Sequence, residues 1–169
     1  MCSSDLRKVA ISSQRRSRAI AMTPAELDDF LAQARTCRVA TMGPGGPHVA
    51  PLWFVWTAGA LWLSSLVRSQ RWTDLARDPR VAVVVDAGEE YHELRGAEIK
   101  GTAEPAGEVP RSGAPDTLLA GPELLFARKY AGGDPMWHDG RHGWLRVTPV
   151  KITSWDFRKL PPERSRPGR

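Results

Sequence analysis

The stretch best suited to chemistry runs from Ser64 to Arg71. Ser64 and Ser65 end a strand-like run, Arg68 follows in a short linker, and Ser69-Gln70-Arg71 opens a helix-like segment. Hydroxyls, two guanidiniums and the free N–H groups of a helix start thus fall within a few residues of one another. That set suits a phosphate or another anion, because helix N-termini present backbone donors and guanidiniums form charge-assisted bonds to phosphate oxygens. The same residues also fit a plain solvated helix start whose arginines only aid solubility.

Other polar groups are less telling. His138 and His142 have i, i+4 spacing, but Gly140 lies between them and no acidic-His pattern surrounds them, so a polar loop is expected and no metal site. Glu89 to Glu93 reads as an exposed acidic loop. The glycines of Gly43 to Pro47 mark a turn; no Gly-Lys-Ser/Thr follows to make a phosphate loop. No Ser-His-Asp arrangement stands out, and no side chain is singled out as catalytic. Cys37 opens a strand and is expected to be a small packed residue.

The elements that must position these groups are mostly β. Thr23-Pro24-Ala25-Glu26 is a capping box with proline at the first helical position, and Leu27, Phe30, Leu31 and Ala34 recur at helical spacing. This predicts a helix over 24–35. Strands are expected over 38–42, 48–57 and 61–65, joined by the glycine turn and by Ala58-Gly59-Ala60. A short helix follows over 69–77. The unbroken Val81 to Val85 run reads as a strand buried on both faces. Residues 94–106 read as strand, with Gly96 and Gly101 as bends or bulges. A loop over 105–115, a helix over 121–130 and a last strand or hairpin over 144–157 complete the chain. Short antiparallel strands with a helix inserted after the third point to a mainly β domain, a β-barrel with flanking helices.

The run Ser65-x-x-x-Ser69-Gln70-Arg71-x-x-x-Leu75-x-x-Asp78-Pro79-Arg80-Val81-Ala82 resembles the pyridoxamine 5′-phosphate oxidase superfamily, which includes flavin- and deazaflavin-dependent reductases. Ala40-Thr41-Met42, Pro47 to Trp53, and Glu98 to Ala103 resemble it as well, so the likeness spans about residues 24–158. It implies a split β-barrel of the FMN-binding type. It also implies that the backbone of Pro51, Leu52 and Trp53 lies along a flavin or deazaflavin ring. Ser64, Ser65, Arg68, Ser69, Gln70 and Arg71 are implied around the cofactor, with Ser65, Ser69 and Arg71 at its phosphate. Gln70 stands where the oxidase pattern has arginine, with Arg68 one turn away as a replacement. Trp155 to Lys159 ends the chain unlike the oxidase's substrate signature, which favours the reductase branch over pyridoxal phosphate synthesis. The resemblance implies hydride transfer to or from a small organic substrate through coenzyme F420, slightly favoured, or FMN. It also implies a homodimer with the cofactor at the subunit interface. The alternative is a non-catalytic carrier of flavin, deazaflavin or haem on the same fold.

Composition agrees with a single domain. At 169 residues the chain is long enough for one self-sufficient core. The formal charge of +5 suggests nucleic acid, yet Arg and Lys concentrate in residues 1–21 and 158–169 while the middle is net acidic. Residues 1–21 and 159–169 are therefore expected as disordered basic tails around a domain over 22–158, with Met22 a plausible natural start. No nucleic-acid or membrane partner is expected, and the absence of a signal-like apolar run points to the cytoplasm. Seven tryptophans are more than a small barrel core holds, so some are expected to line a cofactor cleft or a subunit interface.

Overall fold

The computed structural model describes residues 10–11 and 18–161. Helix α1 spans Pro24–Gln33, and its start is held as the sequence predicts: Thr23 Oγ1 accepts from the Glu26 N–H at 3.3 Å, and Glu26 Oε2 accepts from the Thr23 N–H at 2.7 Å. The helix stops two residues before the expected end because Ala34 turns extended (φ −63°, ψ 138°) to enter the sheet.

Among the described residues seven strands follow the chain order β1 (Ala10–Ile11), β2 (Thr36–Gly43), β3 (Gly46–Thr57), β4 (Ala60–Leu66), β5 (Arg80–Ala87), β6 (Arg95–Ala106) and β7 (His142–Asp156). Helix α2 (Gln70–Arg77) connects β4 to β5, and α3 (Ala120–Tyr130) lies between β6 and β7. Strands β7-β4-β3-β2-β5-β6 are antiparallel neighbours, and β6 pairs again with β7, which closes a six-strand barrel. Short β1 adds to the outside, parallel to Lys151 and Ile152 of β7.

The last segment is one long strand rather than a hairpin. Its first half pairs with β4 and its length from Trp144 to Asp156 with β6, so β7 seals the barrel. The β6–β7 register slips between Lys100 and Gly101, where the sequence places a bend. Strand β5 departs from expectation. Val81, Val83 and Val85 are buried, whereas Ala82 and Val84 are half-buried. A barrel wall has one interior face, so its valine run is sealed on one side only.

Two apolar clusters result. Phe54, Leu63, Val83, Ile99 and Val147 fill the barrel, joined by Leu27, Phe30 and Leu31 of α1 and Leu75 of α2. Each fully buried side chain of this size contributes about 1.5–3 kcal/mol. Cys37 belongs to this cluster, as expected, and burial pushes its thiol up to about 12. The second cluster lies outside the barrel: Val55, Trp62, Ala106 and Trp144 pack with Leu119, Leu125, Phe126 and Tyr130 around α3.

The packed chain begins before Met22, the expected boundary. Arg18–Ile20 forms a 3-10 turn, Ile20 is buried, and the Met22 N–H donates to Ser154 Oγ at 3.0 Å. Beyond Arg158, Lys159 pairs with Glu26 across the barrel end. The rest of both expected basic tails, residues 1–9, 12–17 and 162–169, lies outside the described residues.

Candidate active site

Strand alternation decides which side chains meet. On β3, Leu52 and Phe54 turn into the barrel, whereas Trp53 and Val55 turn out toward α3. On β4, Leu63 and Ser65 turn in and Ser64 turns out. The outward residues floor a cleft of about 540 Å³. Phe126 of α3 and the Met136 to Asp139 segment roof it, while His142, Gly143 and Trp144 of β7 close the far side. Its volume falls in the range of small-molecule sites, roughly 300–1,000 Å³, and its walls are mostly apolar.

The predicted residues divide into two groups. Pro51, Leu52, Trp53 and Ser64 line the cleft. Ser65, Ser69 and Arg71 form a buried niche at the end of β4 instead. Arg71 Nη2 donates to Ser65 Oγ at 3.0 Å, and Ser65 Oγ lies 3.5 Å from Ser69 Oγ. Ser69 caps α2 by accepting from the Trp72 N–H at 3.3 Å. Arg71 is only 5% exposed, its Nε has no partner, and no carboxylate pairs with it among the described residues. Desolvation holds its pKa below the usual arginine value. The niche and the cleft share a rim, because Ser65 is the ladder partner of Gly143, which lines the cleft.

The remaining two predicted residues lie elsewhere. Gln70 donates to Asp74 Oδ1 at 2.7 Å, and Asp74 also accepts from Thr41 at 2.8 Å, so Gln70 holds the carboxylate that ties α2 to β2. These bonds, Gln70's first, hold the Asp74 carboxyl below the usual range. Arg68 is exposed on the turn before α2.

Sequence reasoning passed over the other wall. Arg111, 4% exposed, grips Glu123 bidentately: Nε to Oε1 at 2.8 Å and Nη2 to Oε2 at 3.2 Å. Glu123 also accepts from Trp144 Nε1 at 3.2 Å and His138 Nε2 at 3.1 Å. Its bond to Glu123 raises the Arg111 pKa. Next to it, His142 Nδ1 lies 2.8 Å from Asp139 Oδ2, and Asp139 Oδ1 accepts the N–H groups of Arg141 and His142 at 2.8 and 3.0 Å. The two histidines are thus cleft residues, each tied to its own carboxylate, and among the described residues no group of three His, Cys, Asp or Glu converges. The Asp139-x-x-His142 spacing around a glycine turn was the available signal.

At the opposite edge Trp53 stacks on Tyr130, ring centroids 4.6 Å apart and planes 9° from parallel. The Tyr130 hydroxyl donates to the Arg35 carbonyl at 2.7 Å and accepts from the Phe54 N–H at 3.1 Å, fixing α3 to the barrel. Lys129 Nζ bonds the Phe54 carbonyl at 3.3 Å, and burial beside Arg35 pulls its pKa down to about 8.

The barrel, the α2 crossover and the cleft at its edge match a known architecture. Residues 23–115 match the family model of pyridoxamine 5′-phosphate oxidase. The chain belongs to the pyridoxamine 5′-phosphate oxidase family. No curated protein matches it by sequence. Among solved structures, a conserved hypothetical protein from Mycobacterium tuberculosis is 29% identical, with 92% of this chain and 96% of that chain covered and a TM-score of 0.73. An F420 reductase is 21% identical, covering 77% of this chain and 98% of its own, with a TM-score of 0.58. A haem storage protein from Vibrio cholerae is 14% identical over 75% and 89% of the two chains, with a TM-score of 0.57. The last two share the family's split-barrel fold. No helix among the described residues of this family member is long and apolar enough to cross a membrane.

Proposed function

We propose that this chain is an oxidoreductase that binds a flavin-type cofactor and moves hydride to or from a small organic substrate, with F420 favoured over FMN. The observation that carries this is Arg71, a buried guanidinium with an unpartnered Nε and, among the described residues, no carboxylate. An arginine desolvated in this way is costly unless an anion completes it. The Ser65 and Ser69 hydroxyls beside it supply further donors, so the residues present fit a phosphate-bearing group. When bound, such a cofactor supplies the hydride chemistry itself.

The chain's part is binding and enclosure. Trp53, Phe126 and Trp144 exclude water from the cleft, and the Pro51–Leu52 backbone forms its edge. The F420 reductase among the solved structures supports the deazaflavin. A homodimer with the cofactor at the interface belongs to the same proposal. Met42, Val49 and Trp53 are exposed on one outer face of β2 and β3, the kind of apolar stripe that a second copy covers.

The test is a pair of titrations of the purified protein, with FMN and with F420, repeated on Arg71→Ala. One cofactor binds the wild type, and the substitution weakens it by about 1.5–3 kcal/mol. Equal affinity in the variant removes Arg71 from the site. Binding of neither, with a Soret band on adding haem, replaces this reading with a haem carrier.

A further inference from the structure

The His142–Asp139 pair has a chemical polarity set by its carboxylate. Asp139 is almost fully enclosed, with its side chain 5% exposed, and its Oδ1 is committed to the backbone N–H groups of Arg141 and His142. Those bonds, the Arg141 N–H first, hold its carboxyl far below the usual carboxylate range. A carboxylate only accepts hydrogen bonds, so the 2.8 Å contact to His142 Nδ1 requires a proton on Nδ1. A neutral His142 therefore carries its lone pair on Nε2. The ring lines the cleft with its side chain 40% exposed, so Nε2 is the nitrogen left for a ligand and for exchange with solvent.

His138 is more enclosed. Its Nε2 is bound to Glu123, its Nδ1 lies beside Gly113 where a Cβ would already crowd it, and its side chain is 19% exposed. Arg111 is saturated by Glu123, Glu108 and the Ala114 carbonyl. Of these three groups on the wall, His142 has the most exposed side chain, 40% against 19% for His138 and 5% for Arg111.

We infer that His142 Nε2 is the proton acceptor of the cleft, which therefore selects ligands that present an ionisable O–H, an alcohol or a phenol, at that point. Asp139 is the positioning residue that fixes the tautomer. Combined with the proposed hydride transfer, on which this second part rests, the substrate is a hydroxyl/carbonyl pair. In the oxidising direction the O–H proton passes to Nε2, the C–H bond breaks with its electron pair leaving as hydride to the oxidised flavin-type cofactor, and a C=O bond forms. The reverse delivers hydride to carbon and the Nε2 proton to oxygen. Solvent restores the protonation state of the imidazole.

The test uses the full chain and a matched pair of probes, 4-nitrophenol and 4-nitroanisole, which differ in the O–H. The wild type binds the phenol about tenfold more tightly, the order expected for one hydrogen bond. His142→Phe abolishes the preference, and His142→Gln, which keeps an acceptor, restores part of it. Asp139→Asn retains Oδ1 for the two backbone N–H groups but turns a donor toward Nδ1, which moves the imidazole proton to Nε2. Its expected signatures are a switch of the ¹⁵N imidazole shifts to the other tautomer and loss of the phenol preference, with the fold intact by circular dichroism. A structural role for Asp139 predicts neither. No preference in the wild type, or a preference surviving in His142→Phe, overturns the inference. The FMN and F420 titrations on the same samples separate the two ideas. Loss of all cofactor binding in the wild type defeats the hydride-transfer reading, while the probe preference is judged on its own.

Discussion

Arg71 and Arg111 are equally hidden, 5% and 4% exposed, yet they sit in opposite electrostatic circumstances. Arg111 has two carboxylates and a carbonyl around it, and its proton is held more tightly than usual. Arg71 has one serine hydroxyl and an orphaned Nε, and its proton is held less tightly. Burial alone therefore does not say what a charge is for. A saturated buried cation is part of the scaffold, here joining the 107–119 segment to α3 and, through its own N–H bond to the His142 carbonyl at 2.7 Å, to β7. An unsaturated one is held by the rest of the fold at a cost, and it marks where a ligand completes the protein.

Substitution at the two sites should break this contrast in opposite directions. The largest effect belongs to Arg111→Ala, which strands Glu123 in the wall. Chemical denaturation should show a loss of about 3–5 kcal/mol, the range for removing one partner of a buried pair. A loss below 1 kcal/mol would show that solvent already screens the pair. Arg71→Leu should move the other way in the ligand-free protein, raising stability by about 1 kcal/mol because an uncompensated charge is replaced by packing. That gain should come with loss of stabilisation by cofactor in the same melts. Destabilisation instead would make Arg71 a scaffold residue like Arg111.

Lys129 offers the smallest and sharpest test, as a half-buried cation between the two extremes. Its pKa falls from 10.5 to about 8 through burial and the nearby Arg35. Between those values the unfolded chain binds a proton that the folded chain does not, so this group adds stability as pH rises. Cys37 and Tyr130, both pushed up to about 12, pull the other way above their ordinary values. The diagnostic is therefore the difference between wild type and Lys129→Met, which should grow between about pH 8 and 10.5. A flat difference would place the amine in solvent.

Local signals were legible and distant ones were not. The Thr23–Glu26 box and the β3–β4 turn are written in adjacent residues, and both are found where the sequence puts them. The cleft floor was named through the family resemblance, which implied Pro51, Leu52, Trp53 and Ser64 around a cofactor, and these four residues line the cleft. Arg111 and Glu123 are twelve residues apart, in segments that read as loop and helix with no shared pattern, so only folding reveals their pairing. His142 looked like a loop residue because its partner Asp139 precedes the glycine turn that brings the two together. The parallel docking of Ala10–Ile11 on β7 has no local sequence signature either.

The cleft's two surfaces come from different stretches of chain. Its β3 and β4 floor lies within residues 23–115, the part matched by the family, whereas Phe126 and the Met136 to Asp139 roof follow it. Ligand choice and barrel assembly are therefore separately adjustable. A library of variants confined to Phe126, Met136 and Trp137, sparing the Glu123, Lys129 and Tyr130 anchors, would explore new ligands while leaving the β3–β4 ladder untouched, and natural divergence has the same route open to it.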